Sequence, residues 1–169
     1  WVSYIEQVKL AEGVNVIIEA GIDQRFKITP KQLEAAITKK TRALILCSPS
    51  NPTGAIYTRD ELAGLVKVLE KHPDVVIISD EIYEHIIFTG EHVSMASFDF
   101  IYDRVITVNG VSKGYAMTGW RIGYIGAPEF IAKACAKIQG QVTSGANSMA
   151  QRATITAVDA EPKVLNEMV

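Results

Sequence analysis

Apolar and polar residues alternate along this chain with two different periods. Continuous apolar runs, the mark of buried strands, are separated by stretches where apolar residues recur every three or four positions, the mark of helices. Residues 14–20 (VNVIIEA) form a short β-rich run. Residues 30–37 have helical spacing, with Thr29 placed as N-cap and Pro30 at the first helical position. Residues 42–47 (RALILC) are continuous and apolar, which predicts a strand buried on both faces. Residues 59–72 predict an amphipathic helix with Leu62, Leu65, Val66 and Leu69 on one stripe. Residues 75–79 (VVIIS), 104–108 (RVITV) and 120–126 (WRIGYIG) predict three more strands, and helical spacing returns from 128 to about 142. Strands and helices in alternation predict an α/β fold of three layers, a mainly parallel sheet with helices on both faces. The link of residues 109–119 is eleven long, short of the dozen or more a parallel crossover needs. The strand at 120–126 is therefore expected to run antiparallel to the one at 104–108.

Composition narrows the class. The 169 residues are 48% hydrophobic, with 17 Lys plus Arg against 19 Asp plus Glu, as in one soluble globular domain with a real core. A near-neutral balance without a basic cluster argues against nucleic-acid binding. No run approaches the roughly 20 apolar residues of a membrane-spanning helix. Cys47 and Cys135 lie in apolar runs and lack C-x-x-C spacing, so reduced thiols in a cytoplasmic protein are expected. His72, His85 and His92 are scattered without metal-ligand spacing, so no metal is expected and they read as surface or supporting groups. Met95, Met117, Met149 and Met168 read as core or gap-filling residues. The chain opens on Trp1 with neither Met nor leader, and reads as part of something longer.

Ligands in open α/β sheets bind at the carboxyl ends of the strands. The first of those ends carries Ser48-Pro49-Ser50-Asn51-Pro52-Thr53-Gly54. The second carries Asp80, Glu81, Ile82 and Tyr83; the third carries Asn109, Gly110, Val111, Ser112 and Lys113; Arg121 opens the antiparallel strand. Each has an ordinary reading when taken alone. Asn51-Pro52-Thr53-Gly54 is a turn, Asp80 could cap a helix, and a lone lysine or arginine on a loop is solvated. Together, Asn51, Asp80, Tyr83, Ser112, Lys113 and Arg121 put an amide, a carboxylate, a phenol, a hydroxyl, an amine and a guanidinium on one edge.

Three motifs in order, SPSNPTG, SDEIY and SKGYAMTGWRIGY, resemble the pyridoxal-phosphate-dependent aminotransferases of fold type I, with the aspartate aminotransferase group most similar. The resemblance covers essentially the whole chain. It implies that Lys113 forms a Schiff base with the aldehyde of pyridoxal 5′-phosphate and that Asp80 faces the pyridine nitrogen. It implies that Asn51 and Tyr83 hydrogen-bond the phenolic oxygen, that Ser112 and Arg121 hold the phosphate, and that Trp1 stacks on the ring. It also implies a cis Asn51-Pro52 bond. The implied reaction is ping-pong transamination between an amino acid, aspartate by analogy, and a 2-oxo acid such as 2-oxoglutarate. Aromatic or alanine specificity, a related lyase, and a non-catalytic sensor domain of a transcription regulator stay open.

Family members are more than twice this length. The resemblance therefore implies that residues 1–169 are part of a cofactor-binding large domain, without the N-terminal segment and the C-terminal small domain. It places residues 14–20 at the sheet edge beside a strand that precedes Trp1 in the family. It implies a homodimer, with residues 144–151 as a candidate contact with a partner subunit.

Overall fold

The computed structural model describes residues 1–160 and 162–168. Its elements are α1 (Ser3–Leu10), α2 (Pro30–Ala36), β1 (Ala43–Cys47), α3 (Arg59–Leu69), β2 (Val76–Asp80), α4 (Asp99–Tyr102), β3 (Val105–Gly110), β4 (Gly123–Gly126), α5 (Glu129–Val142), α6 (Ser148–Val158) and α7 (Pro162–Met168). Single 3-10 turns lie at Ile22–Gln24, Met95–Ser97 and Thr118–Trp120. The four strands stand in the order β1-β2-β3-β4. The first three are parallel, and β4 runs antiparallel to β3 with Gly123 opposite Gly110.

Two helices begin where their sequences demand. Thr29 and Thr58 each accept a hydrogen bond from the backbone of the third helical residue, while Gln32 and Glu61 reach back to the caps. These reciprocal bonds satisfy amide groups that a helix start leaves orphaned. The α3 stripe then buries Leu62, Leu65, Val66, Val68 and Leu69. With Leu33, Ile101, Leu46, Ile77 and Val105 they form the core, so α2, α3 and α4 cover one face of the sheet. The guanidinium of Arg104 donates to the carbonyls of Leu69, His72 and Val75, closing the C-terminal end of α3 onto the sheet. α1 reaches the opposite face, where Tyr4 bonds Asp80.

Several expectations need correction. Residues 14–20 form no strand, and Val14, Val16 and Ile17 are exposed. A strand is held by backbone hydrogen bonds to a neighbouring strand, and among the described residues this run makes no backbone–backbone bond; the Asn15 side chain donates to the Ile5 carbonyl, the Gln32 side chain donates to the Glu19 carbonyl, and Ile18 packs against the core. β1 is not buried on both faces: Leu46 is buried, Leu44, Ile45 and Cys47 are half-buried, and Ala43 is exposed. The helical layer lies on the Leu46 face, so the other face is only partly covered. The last strand begins at Gly123 rather than at 120, because Thr118–Trp120 closes as a 3-10 turn and Arg121 takes a left-handed backbone (φ 57°). Met95 sits in the core, but Met149 and Met168 are exposed. Cys47 and Cys135 are both free thiols, the first half-buried and the second exposed.

Candidate active site

The three parallel strands deliver their carboxyl ends to one edge, and the chain turns sharply after each. After β1 the loop contains two cis bonds, Ser48-Pro49 and Asn51-Pro52. The second is the one the motif implies; the first was not anticipated. A bond from the Gly54 amide to the Ser50 carbonyl (2.8 Å) closes this loop, and Gly54 takes φ +67°, a conformation that suits glycine. Asn51 thereby comes to lie beside the next loop, where its amide donates to the Tyr83 hydroxyl oxygen at 2.8 Å. That bond uses the tyrosine oxygen as acceptor and leaves its own proton free to donate elsewhere.

Asp80 ends β2 half-buried. Its Oδ1 accepts the Ile82 amide at 3.2 Å, and its Oδ2 accepts the Tyr4 hydroxyl at 2.6 Å. The carboxylate therefore caps its own turn, as the ordinary reading had it, and still keeps a lone pair on each oxygen for a further donor. Burial first, and then the hydrogen bond to Asp80, push the Tyr4 phenol far above the ordinary tyrosine range, so Tyr4 acts as a donor. Burial and then the nearby Asp80 charge raise the Cys47 thiol, which stays protonated. Sequence reasoning missed Tyr4. Its only signal was its place three residues after Trp1, the residue that the resemblance puts on the cofactor ring.

Residue Glu81, next to Asp80, is 2% exposed. Its Oε1 accepts from Ser79 Oγ (2.8 Å), Ser94 Oγ (2.9 Å) and the Met95 amide (3.2 Å), and His92 Nε2 lies 2.9 Å from Oε2. Burial alone would raise this carboxyl, but the bonds from His92, Ser79 and Ser94 outweigh it and hold it low. Glu81, Glu84 and His92 each offer a ligand atom within 4.8 Å of the others. The donors already on Glu81 make that group a hydrogen-bonded pin, and His92 and His85 are half-buried beside the site rather than surface residues.

After β3 the chain passes through buried Gly110 and Val111 to the half-buried Ser112 and Lys113. The Lys113 amine stands 5.8 Å from the centre of the Tyr83 ring. Arg121 is exposed, with its guanidinium on the Thr118 carbonyl at 3.0 Å. Trp1 is 74% exposed at the start of the segment that brings Tyr4 to Asp80. Asn51 and Lys113 thus each neighbour Tyr83, with Asp80 at the base of the Tyr83 turn; Ser112 is sequence-adjacent to Lys113. Trp1 and Arg121 lie toward the periphery. An open cleft of about 1260 Å³ runs between Trp120–Arg121 and the facing sides of α5 and α6. It shares only Arg121 with this constellation.

The family profile described as aminotransferase class I and II matches residues 1–169. The chain belongs to this family. A Petunia hybrida protein named bifunctional aspartate aminotransferase and glutamate/aspartate-prephenate aminotransferase is 50% identical over 159 residues, 94% of this chain and 33% of that protein. The aspartate aminotransferase of Bacillus subtilis is 47% identical over 99% of this chain and 43% of its own length. Among solved structures, the aspartate aminotransferase from Rhizobium meliloti matches with a TM-score of 0.96 and 44% identity, over 99% of this chain and 42% of that one. An aromatic aminotransferase from Pyrococcus horikoshii matches with a TM-score of 0.95 and 40% identity, over 99% of this chain and 46% of that one. The chain therefore spans between a third and a half of the length of these relatives.

Class I and II aminotransferases use pyridoxal 5′-phosphate, and the groups at this edge fit that cofactor. A carboxylate with open lone pairs suits a protonated ring nitrogen. A phenol with a free proton and an amide suit a phenolate oxygen. A primary amine suits an aldehyde, and a hydroxyl with a guanidinium suits a phosphate.

Proposed function

We propose that these residues form the cofactor-holding part of an aminotransferase that moves an amino group between aspartate and a 2-oxo acid, with 2-oxoglutarate as the acceptor class. The observation that carries this reading is the meeting of Asp80, the Asn51–Tyr83 pair and Lys113 at one sheet edge. The names of the relatives from Petunia hybrida and Bacillus subtilis support the choice of aspartate. The Pyrococcus horikoshii structure makes an aromatic donor the second reading.

When bound, pyridoxal phosphate supplies an electron sink for charge developing at the substrate's α-carbon. The residues do the rest. Asp80, fixed by Tyr4 and the Ile82 amide, would hold a proton on the ring nitrogen through its opposite charge. Tyr83, whose oxygen already accepts the Asn51 amide, would donate its own proton to the phenolic oxygen and favour its ionised form. Ser112 and Arg121 would grip the phosphate, and Trp1 would stack on the ring. Lys113 would hold the aldehyde carbon and then, as a free amine, take the proton from the substrate's α-carbon and deliver it to the C4′ carbon of the cofactor. The tyrosine ring beside its Nζ limits where that amine can swing.

We read the working protein as a cytoplasmic homodimer. Exposed Phe130, Ile138, Val142, Met149 and Ile155 on α5 and α6 support a covering partner there. Among the described residues no helix is long and apolar enough to cross a membrane. The test of the reaction is a donor panel on the full-length protein with 2-oxoglutarate. Aspartate giving the highest kcat/KM is expected; a preference for aromatic donors, or no amino transfer at all, would overturn the assignment.

A further inference from the structure

Nothing in transamination chemistry calls for a carboxylate on the far side of the Tyr83 turn, yet Glu84 makes the shortest side-chain bond at this edge outside the Tyr4–Asp80 pair. Its Oε1 accepts the amide of Asn109 at 2.6 Å. Asn109 is 8% exposed at the end of β3. Its own Oδ1 accepts the Gly110 amide at 2.8 Å, which fixes the side chain in one orientation. His85 Nε2 lies 3.4 Å from the same Glu84 oxygen. The His85 ring meets Tyr115 edge-on with centroids 5.5 Å apart. It also packs so closely on Gly114 that a Cβ there would stand 2.7 Å from its Cδ2. Two consecutive residues of the Tyr83 turn therefore grip the chain on either side of Lys113, one at Asn109 and one at Gly114.

The path from these grips to the lysine is short and stiff. Only Gly110, Val111 and Ser112 separate Asn109 from Lys113. A Cβ on Gly110 would lie 2.8 Å from the Ile122 carbonyl oxygen, so β4 closes in from the other side. Val111 is fully buried, and its carbonyl accepts the Met117 amide. The Lys113 carbonyl accepts the Ala116 amide at 3.0 Å. At the other end, Glu81 pins the Tyr83 turn to Ser79, Ser94 and His92. Neither loop can shift relative to the other without breaking the Glu84–Asn109 bond or moving the histidine ring.

We propose that Glu84, Asn109 and His85 form a clamp that sets the Lys113 amine against Tyr83, and that they are positioning residues for the chemistry of that lysine. This rests on the reading of Lys113 as the cofactor's attachment point. Removing the clamp lets the two loops drift apart, so Tyr83 loses its hold on the phenolic oxygen of the cofactor bound through Lys113. The ionised form of that oxygen then loses support, and the bound cofactor keeps its proton to higher pH.

The test is a pH titration of the visible band of the full-length protein saturated with pyridoxal phosphate, alongside thermal unfolding. Glu84→Ala and Asn109→Ala are expected to raise the band's midpoint by about half a pH unit or more. Glu84→Gln, which keeps an acceptor for Asn109, is expected to hold the wild-type midpoint. A general loss of stability would lower Tm in all variants without separating Gln from Ala in the midpoint. If Glu84→Ala fails to fold, His85→Ala makes the same prediction from a half-buried position outside the sheet. A wild-type band with unchanged midpoints in the alanine variants overturns the clamp alone. No band in the wild type overturns both the clamp and the reading beneath it.

Discussion

Asp80 is held by a donor on each oxygen, and one of those donors comes from the start of the chain, 76 residues away. A hydrogen bond to a charged group contributes about 1.5–3 kcal/mol when well shielded, and this one is only part-buried. Tyr4→Phe is therefore expected to weaken pyridoxal phosphate binding by about tenfold, near the lower end of that range. Absorbance titration of the cofactor measures this, and an unchanged Kd would remove Tyr4 from the site. Glu81 predicts a pH dependence of stability. Its folded carboxyl titrates below the ordinary value of 4.5, so its contribution is fully present above that value and is lost as pH falls through the folded one. Urea midpoints of the wild type should drop on acidification below about pH 4.5, while Glu81→Gln starts lower and drops less. Parallel profiles for the two proteins would show that another group is responsible. Asn51, Asp80, Tyr83 and Lys113 were legible as candidates because strand ends and motif spacing mark them. Tyr4, Glu81, Glu84 and the Asn109 side chain were not. Their partners lie on other segments, and no local period reports a contact between distant segments.

At the scale of elements, periodicity and capping were reliable. Thr29 and Thr58 begin α2 and α3 as their sequences indicate, and the short link before β4 correctly forbade a parallel crossover. Thr58→Ala is expected to cost about 1 kcal/mol, seen as a lower urea midpoint with an unchanged cofactor spectrum. A shift of the spectrum would mean that the cap also shapes the 48–57 loop. The failures were of context. Residues 14–20 have the composition of a strand, but composition supplies no partner, and the run lies exposed. Residues 42–47 are apolar throughout, which signals the potential for burial on two faces; the neighbouring layer decides whether both are used. The 3-10 turn at Thr118–Trp120 delayed β4 because Arg121 adopts a left-handed backbone that no alternation of polar and apolar residues reveals.

Viewed whole, the molecule has a dense core on one face of its sheet and much exposed apolar surface elsewhere. Trp1, Val2, Leu10, Val14, Val16, Ile17, Phe130, Ile138 and Val142 are all exposed, and β1 is an edge strand. Such surface invites association. The 169-residue chain is expected to self-associate with rising concentration in sedimentation velocity; a single monomeric species at high concentration would show that this surface is inert. The central claim is that Lys113 carries the cofactor at the edge where Asp80, Asn51 and Tyr83 meet. It is tested by loading the full-length protein with pyridoxal phosphate, reducing with borohydride and mapping the modified lysine by peptide mass spectrometry. A single phosphopyridoxyl label on Lys113 is the predicted result, and a label on any other lysine, or none in the folded protein, would contradict it.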